Sequence, residues 1–147
     1  MHIIAASDHA GFALRQVLVD HLRQAGHDVD DLGPERPERC DYPDYAGRVA
    51  RRVARGDGLG LLVCGTGVGM SMAANKVGGV RAAVVSDVFS ASATRAHNNA
   101  NVLCVGERVV GAGLAMAIVD AFVGTDFEGG RHAARVAKIH GLETAAG

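Results

Sequence analysis

A thiol followed by alternating glycines is the most chemically suggestive pattern in the sequence. Cys64 ends the apolar run 61–63, and the next five positions alternate glycine with other small residues: Gly65, Thr66, Gly67, Val68 and Gly69. Glycine lets the backbone approach a ligand closely, and a helix that follows such a loop directs unpaired N–H groups at an anion. The positive end of that helix also favours a thiolate over a thiol. The stretch predicts an anion cradle beside a thiolate base, and a cysteine that only fills the core is the alternative.

The same stretch excludes several known loops. No Gly-Lys-Ser/Thr follows the glycines, so the pattern is not that of a nucleotide-binding P-loop. A dinucleotide-binding loop needs an acidic residue for the ribose, and none stands at the required place. A phosphatase loop would need arginine where the chain has Met70, and a flavin site would need aromatic residues, which are scarce. We therefore expect no nucleotide or flavin cofactor, and the three cysteines, which show no CxxC spacing, give no zinc-site pattern.

Further proton-moving groups lie at the ends of predicted elements. Asp8 and His9 follow the first apolar run, and His97 begins the polar segment 97–101. Histidine transfers protons well at neutral pH, although Asp8 could simply cap a helix and His97 could simply end one. Tyr42, within the segment 41–45, could reach a neighbouring site or anchor a loop.

Arginines supply candidate anion ligands. Arg131 and Arg135 are four residues apart and share one face of a predicted helix, with His132 beside them. Guanidinium groups bind phosphate through paired charge-assisted hydrogen bonds. Arg108 follows the fifth predicted strand and adds a cation near the same ligand edge. A solvated basic helix face is the alternative for the terminal pair.

Composition indicates one cytoplasmic domain. The chain has 147 residues, which suits a single domain over 1–147 with a substantial core. A formal net charge of -1 gives no reason to expect nucleic acid or a membrane as partner. The three cysteines lack CxxC spacing, which favours free thiols in a reducing compartment. The first residues lack a signal-peptide pattern, so we expect a cytoplasmic protein.

Strands and helices alternate along the whole sequence. Strands are predicted at 2–7, 27–32, 59–63, 80–85 and 101–105. Helices are predicted at 12–25, 45–55, 70–76, 87–97, 114–123 and 129–140, and a proline-containing loop at 33–44. This order predicts an α/β fold, a Rossmann-like three-layer α/β/α arrangement with a five-stranded, mostly parallel sheet and helices on both faces. Ligands bind beyond the carboxyl ends of such strands, where residues 7–9, 64–66 and 106–108 fall.

Five segments together resemble one known family. They are SDHAG (7–11), DYP (41–43), CGTGVGMSMAANK (64–76), HNNAN with GERVVG (97–111), and EGGRHAARV (128–136). In this order, over about residues 2–140, they are similar to the type B ribose-5-phosphate isomerases. The wider family includes galactose-6-phosphate isomerase subunits. Each segment is weak alone, but the set is specific.

The resemblance implies a role for each matching residue. Cys64 matches the base that removes a substrate proton, and His97, with Asp8 nearby, matches the group that opens the sugar ring. The loop that holds the developing oxyanion corresponds to Gly65, Thr66, Gly67, Val68 and Gly69. Substrate and phosphate contacts correspond to His9, Asn98, Arg108, Arg131 and Arg135. Asn99 departs from the acidic residue often found there, which affects only fine substrate preference.

The resemblance also implies a reaction and an assembly. The expected reaction converts ribose 5-phosphate to ribulose 5-phosphate without a cofactor. Family members are homodimers, sometimes paired into tetramers, with sites built from two chains, so Tyr42, His97 and the arginines could serve a neighbour's Cys64. The alternatives are another sugar phosphate (allose 6-phosphate, galactose 6-phosphate or a tetrose 4-phosphate) and a phosphosugar-binding module without catalysis.

Overall fold

A central parallel sheet organises the chain. The computed structural model describes residues 1–145, over which five strands and six α-helices alternate. The strands are β1 (His2–Ser7), β2 (Asp28–Asp31), β3 (Leu59–Cys64), β4 (Ala82–Val84) and β5 (Val102–Gly106). The helices are α1 (Phe12–Gln24), α2 (Tyr42–Ala54), α3 (Val68–Ala74), α4 (Val88–Ala96), α5 (Ala112–Val123) and α6 (Arg131–Thr144). This arrangement confirms the predicted α/β class.

The strand order brings the predicted polar segments together. The sheet runs β2-β1-β3-β5-β4, and each neighbouring pair is parallel. Ser7 is in register with Val63, and Cys64 is in register with Gly106. The carboxyl ends of β1, β3 and β5 are therefore adjacent. We call this row of strand ends, as distinct from an outer strand, the carboxyl edge. The opposite edge, where these strands begin, is the amino edge.

Alternating strand residues build a core on each face of the sheet. Ile3, Leu61 and Leu103 pack with buried side chains of α1, α4 and α5. Ile4 and Leu62 pack on the other face with α2 and α3. Each fully buried aliphatic side chain contributes about 2 kcal/mol through removal from water. No helix in the described range 1–145 is long and apolar enough to cross a membrane.

Several predicted bounds are wrong. The loop predicted at 33–44 ends early, because α2 begins at Tyr42 with Pro43 in its first turn, where a missing N–H costs nothing. The third helix begins at Val68 rather than at residue 70, so the last two residues of the predicted loop are helical. β4 covers only Ala82–Val84 of the predicted 80–85, and α6 extends past residue 140 to Thr144.

A side-chain amide joins α3 to β4. Asn75 follows the last residue of α3, and its Nδ2 donates a hydrogen bond to the Ala82 carbonyl at 2.9 Å. The Ala82 N–H donates to the Asn75 Oδ1 at 2.8 Å. These two bonds fix the end of α3, the helix that follows the glycine loop, against the sheet.

Candidate active site

Cys64 lies at the carboxyl edge with its sulfur in a backbone hydrogen bond. It is the last residue of β3, its side chain belongs to the core on the α2 and α3 face, and it is 5% exposed. The Gly67 N–H donates to the Cys64 Sγ at 3.1 Å. An N–H aimed at sulfur stabilises a thiolate more than a thiol. The chain folds this way because Gly67 has φ 79°, a left-handed conformation that favours glycine.

Close backbone packing against β5 holds the loop after Cys64. A Cβ on Gly106 would lie 2.6 Å from the Thr66 carbonyl carbon, so only glycine fits there. The turn after β5 also donates two hydrogen bonds to this loop, from Glu107 N–H to the Cys64 carbonyl at 2.9 Å and from Arg108 N–H to the Gly65 carbonyl at 3.0 Å. The loop is thus fixed from the side as well as at its ends.

Two N–H groups of this loop are free to bind an anion. Within residues 1–145, the N–H groups of Gly65 and Thr66 donate to no backbone or side-chain acceptor. The Thr66 Oγ1 accepts from the Val68 N–H at 3.3 Å and is on an exposed residue. Adjacent unpaired donors are the arrangement that stabilises an oxyanion.

Tyr42 and Arg108 flank the loop. The Tyr42 ring lies against Gly69, where a Cβ would be 2.7 Å from the ring carbons. The Arg108 guanidinium lies over Gly65, where a Cβ would be 3.4 Å from Nη1. Both side chains are exposed and come from the same chain as the loop. A phenol and a guanidinium thus line the approach to Cys64.

Asp8 and His9 lie beside the loop at the end of β1. The Asp8 N–H donates to the Val63 carbonyl at 3.2 Å, which places Asp8 next to the end of β3. The Asp8 Oδ1 accepts from the N–H groups of Ala10 and Gly11, so the carboxylate caps the 3-10 turn His9–Gly11 before α1. The Cys40 N–H donates to the His9 Nδ1 at 3.3 Å. In a neutral ring this bond leaves the proton on Nε2.

A second set of predicted site residues lies elsewhere, around His97. This side chain follows the last residue of α4, and its ring stacks on His132 with centroids 4.5 Å apart and planes at 15°. His132 is 6% exposed, and its Nε2 lies 3.5 Å from the Glu128 Oε2. Burial lowers the pKa of His132, and the nearby His97, Arg131 and Arg135 lower it further, whereas Glu128 raises it. His132 is therefore held neutral near neutral pH.

The topology places this second set at the amino edge. α4 runs from the carboxyl end of β4 back to the amino end of β5, so His97 and Asn98 lie near the start of β5. The Glu128 N–H donates to the Ala96 carbonyl at 3.0 Å, which brings the beginning of α6, with Arg131 and Arg135, to the same place. Gly60 of β3 is in register with the first residue of β5, and Cys64 lies four residues further along β3, or ~13 Å at 3.3 Å a residue. Within one chain, His97 and Cys64 are therefore too far apart to share a substrate atom.

Comparison with known proteins supports the predicted resemblance. Residues 3–139 match the model of the Ribose/Galactose Isomerase family. The ribose-5-phosphate isomerase B of Escherichia coli strain K12 is 53% identical over 138 residues, which is 92% of each chain. The chain belongs to the ribose/galactose isomerase family.

Solved structures of this family share the fold. A ribose-5-phosphate isomerase B from Clostridium thermocellum superposes with a TM-score of 0.96 and 47% identity, covering 97% of each chain. The Mycoplasma genitalium ribose-5-phosphate isomerase B, solved with bound ribulose-5-phosphate, has a TM-score of 0.95 and 45% identity, and covers 99% of this chain and 97% of that one. The Rossmann-like expectation is confirmed.

Arg15 supports the site of this family member but was not predicted. It is 2% exposed, donates to the Ser7 Oγ at 2.8 Å and to the Pro34 carbonyl at 2.7 Å, and pairs with Asp31 at 3.1 Å. It thus ties the end of β1, just before Asp8, to the loop that follows β2. The signal was present, because Arg15 precedes Leu18 and Leu22 by three and seven residues on the apolar stripe of α1.

Glu107 and Glu128 are two further groups that sequence reasoning left without a role. The Glu107 Oε2 accepts from the Leu14 N–H at 2.9 Å and so joins the turn after β5 to the first turn of α1. Glu128 faces His132. Nothing in the local sequence separates these carboxylates from solvated ones. Cys104 lies behind Cys64 in the same core, and complete burial raises the pKa of its thiol, which disfavours a Cys104 thiolate.

Proposed function

We propose that this protein interconverts ribose 5-phosphate and ribulose 5-phosphate through an enediolate. The observation that carries the proposal is the Gly67 N–H on the Cys64 sulfur, at the end of β3, beside the unpaired N–H groups of Gly65 and Thr66. Family membership and a relative solved with bound ribulose-5-phosphate support the substrate class. We also propose that the chain acts as one domain in the cytoplasm, in keeping with its three free cysteines.

In the central step, the Cys64 thiolate removes the proton from C2 of the open-chain aldose. The C2–H electron pair forms the C1–C2 double bond, and the carbonyl pair moves to O1, which becomes an oxyanion. The N–H groups of Gly65 and Thr66, with the Thr66 hydroxyl, stabilise this charge. Their contribution is several kcal/mol, roughly what one or two donors of an oxyanion hole supply. The O2 hydroxyl proton then passes to O1 as the C2–O2 carbonyl forms, and the electron pair of the C1–C2 double bond takes the thiol proton at C1. These transfers give the ketose, so no redox partner is consumed.

Ring opening needs a proton donor at the furanose oxygen. We assign this role to His97, with Asp8 and His9 binding the sugar and Asn98 binding a hydroxyl. Arg131 and Arg135 hold the phosphate, and binding energy from this distant group orients the reacting carbons. Arg108 and Tyr42 line the entrance beside the loop.

We propose that two chains form each site. Within one chain His97 is at the amino edge and Cys64 at the carboxyl edge, so the two groups can meet only across an interface. Exposed apolar side chains near the carboxyl edge favour such an interface, among them Val68 at 43%, Met72 at 64% and Phe89 at 80% exposure. Apolar surface of this kind marks a protein contact. We therefore propose a homodimer; pairing of dimers into a tetramer would leave this site unchanged.

The first test is turnover of ribose 5-phosphate by the purified chain without added metal. We expect activity, a loss of at least about 100-fold in kcat for Cys64→Ser, and little change for the matched control Cys40→Ser. Allose 6-phosphate, galactose 6-phosphate and erythrose 4-phosphate are assayed alongside. Full activity of the Cys64→Ser protein would exclude the thiolate base, and binding of phosphosugars without turnover would indicate the sensing module.

The second test mixes two inactive chains. Cys64→Ser and His97→Asn proteins are unfolded together, refolded and compared with each refolded alone. A mixed dimer has one site with both native residues, so random pairing restores about a quarter of the native activity. No recovery, although mixed dimers form, would contradict the shared site.

A further inference from the structure

Three metal-binding side chains converge at the amino edge. Each of His97, Glu128 and His132 presents one ligand atom, and these atoms all lie within 4.8 Å of one another. His132 is buried, whereas His97 and Glu128 are exposed. The reaction proposed above uses His97 for proton transfer and gives Glu128 no part.

The spacing of these groups suits a small tetrahedral ion. Bonds of ~2.0 to 2.1 Å in a tetrahedral zinc site separate neighbouring ligand atoms by ~3.3 Å, and the His132 Nε2 is 3.5 Å from the Glu128 Oε2. The stacked rings of His97 and His132 are nearly parallel, so they cannot direct both lone pairs at one ion as they stand. His97 is exposed at the end of α4 and can turn toward the buried ring.

We propose that His97, Glu128 and His132 bind a divalent transition ion such as Zn²⁺ or Co²⁺, and that the bound ion inhibits the enzyme. Two imidazoles and one carboxylate form a ligand set that prefers these ions to Mg²⁺ or Ca²⁺. Three protein ligands leave a fourth position for water. Arg131 and Arg135 lie close to His132 and weaken the binding by repulsion, so we expect release by a chelator rather than a permanent structural ion.

Metal binding would inhibit the enzyme because His97 is both a metal ligand and the proposed proton donor. This part of the inference rests on the proposed function. A metal bound to the His97 nitrogen occupies the lone pair that would carry the proton to the sugar ring. Metal and sugar phosphate should therefore compete for the site.

Metal binding is tested by Co²⁺ spectroscopy on the full chain. Cys40→Ser and Cys64→Ser are introduced together, so that thiols cannot bind the metal. We expect ligand-field absorption without a thiolate charge-transfer band, and an affinity reduced at least about tenfold by Glu128→Gln. The matched control is Glu143→Gln. Glu143 is also paired with a histidine of α6, because its Oε1 lies 3.3 Å from the His140 Nδ1. Unchanged Co²⁺ affinity in the Glu128→Gln protein would overturn the site.

Inhibition is tested separately on chains that keep their cysteines. Each protein is normalised to its own metal-free rate and titrated with Zn²⁺, then treated with a chelator. We expect reversible inhibition that sugar phosphate opposes, with a half-inhibiting Zn²⁺ concentration at least about tenfold higher in Glu128→Gln than in native protein or Glu143→Gln. Equal inhibition of all three would assign the effect to another ligand, such as Cys64. Because Co²⁺ absorption does not depend on turnover, an inactive chain would refute the isomerase proposal and still report on the metal site.

Discussion

Replacement of Gly106 by alanine should displace the loop that carries Thr66. The new Cβ would lie 2.6 Å, 2.7 Å and 2.8 Å from the carbonyl carbon, Cα and carbonyl oxygen of Thr66. Carbon atoms prefer separations of about 3.5 Å, so the backbone of this loop must move by roughly 0.8 Å. The clash involves main-chain atoms, which cannot turn away as a flexible side chain would.

The catalytic effect can be estimated from that displacement. A misplacement of about 1 Å can cost on the order of 100-fold in rate, equivalent to about 2.7 kcal/mol of transition-state stabilisation. We therefore expect kcat/KM for ribose 5-phosphate to fall by about that factor in Gly106→Ala. Overpacking of this size also destabilises by about 2 kcal/mol, which lowers the melting temperature by roughly 5 °C and leaves a folded protein at 25 °C.

Gly111→Ala provides the matched control. Gly111 is only five residues further along the chain, has φ −73°, and a Cβ there would meet no atom within 4 Å. Steady-state kinetics and thermal denaturation should therefore show native behaviour. The reasoning would be refuted if Gly106→Ala kept kcat/KM within about threefold of native, or if both variants lost activity equally.

Three further predictions concern local contacts. Hydrogen bonding to Arg52 lowers the pKa of Asp30 from its usual 3.8, so the stabilisation is fully present above that value and is lost as the pH falls through the lower pKa of the folded state. Asp30→Asn should therefore lower the urea midpoint more at pH 7 than at pH 3, and an equal loss at both would contradict this. Arg15→Met should reduce the free energy of unfolding by about 3 kcal/mol, with Arg15→Lys recovering only part; a loss below about 1 kcal/mol in urea denaturation would be too small for a buried ion pair. Gly69→Ala should push the Tyr42 ring aside and reduce kcat/KM by about tenfold, less than a main-chain clash, because the ring can turn; native kinetics would exclude this contact.

The sequence predicted the order and type of the elements because their local signals agree. β1 was predicted with its observed bounds, since an apolar run ends there at Ser7 and Asp8 begins a turn. The start of α2 was missed because Pro43 was interpreted as a breaker, although proline fits the first turn of a helix. Breaker residues mark both ends and beginnings of helices, and a single sequence does not distinguish them.

The site was predictable only in part, for a geometric reason. Residues that follow parallel strands meet at one edge, so the neighbourhood of Asp8, Cys64 and Arg108 follows from topology. His97 ends a helix instead, and its position opposite Cys64 was not evident from motif order. Arg15 and Glu107 act through hydrogen bonds between distant segments, and such pairings have no periodic signal. The roles of the matched site residues stay predictions until the variants are measured.

The amide of Asn75 has a consequence for solubility. Arg81 and Val85 bond to β5, so Ala82 directs its N–H and carbonyl away from the sheet, where an incoming strand would pair. Asn75 occupies both groups of Ala82, which removes this residue from the template that β4 would offer to an incoming strand. We expect Asn75→Leu to increase light scattering at 37 °C, while the matched control Gln24→Leu, at the exposed last residue of α1, does not; equal scattering would contradict this. One side chain thus blocks strand addition at the start of a three-residue edge strand.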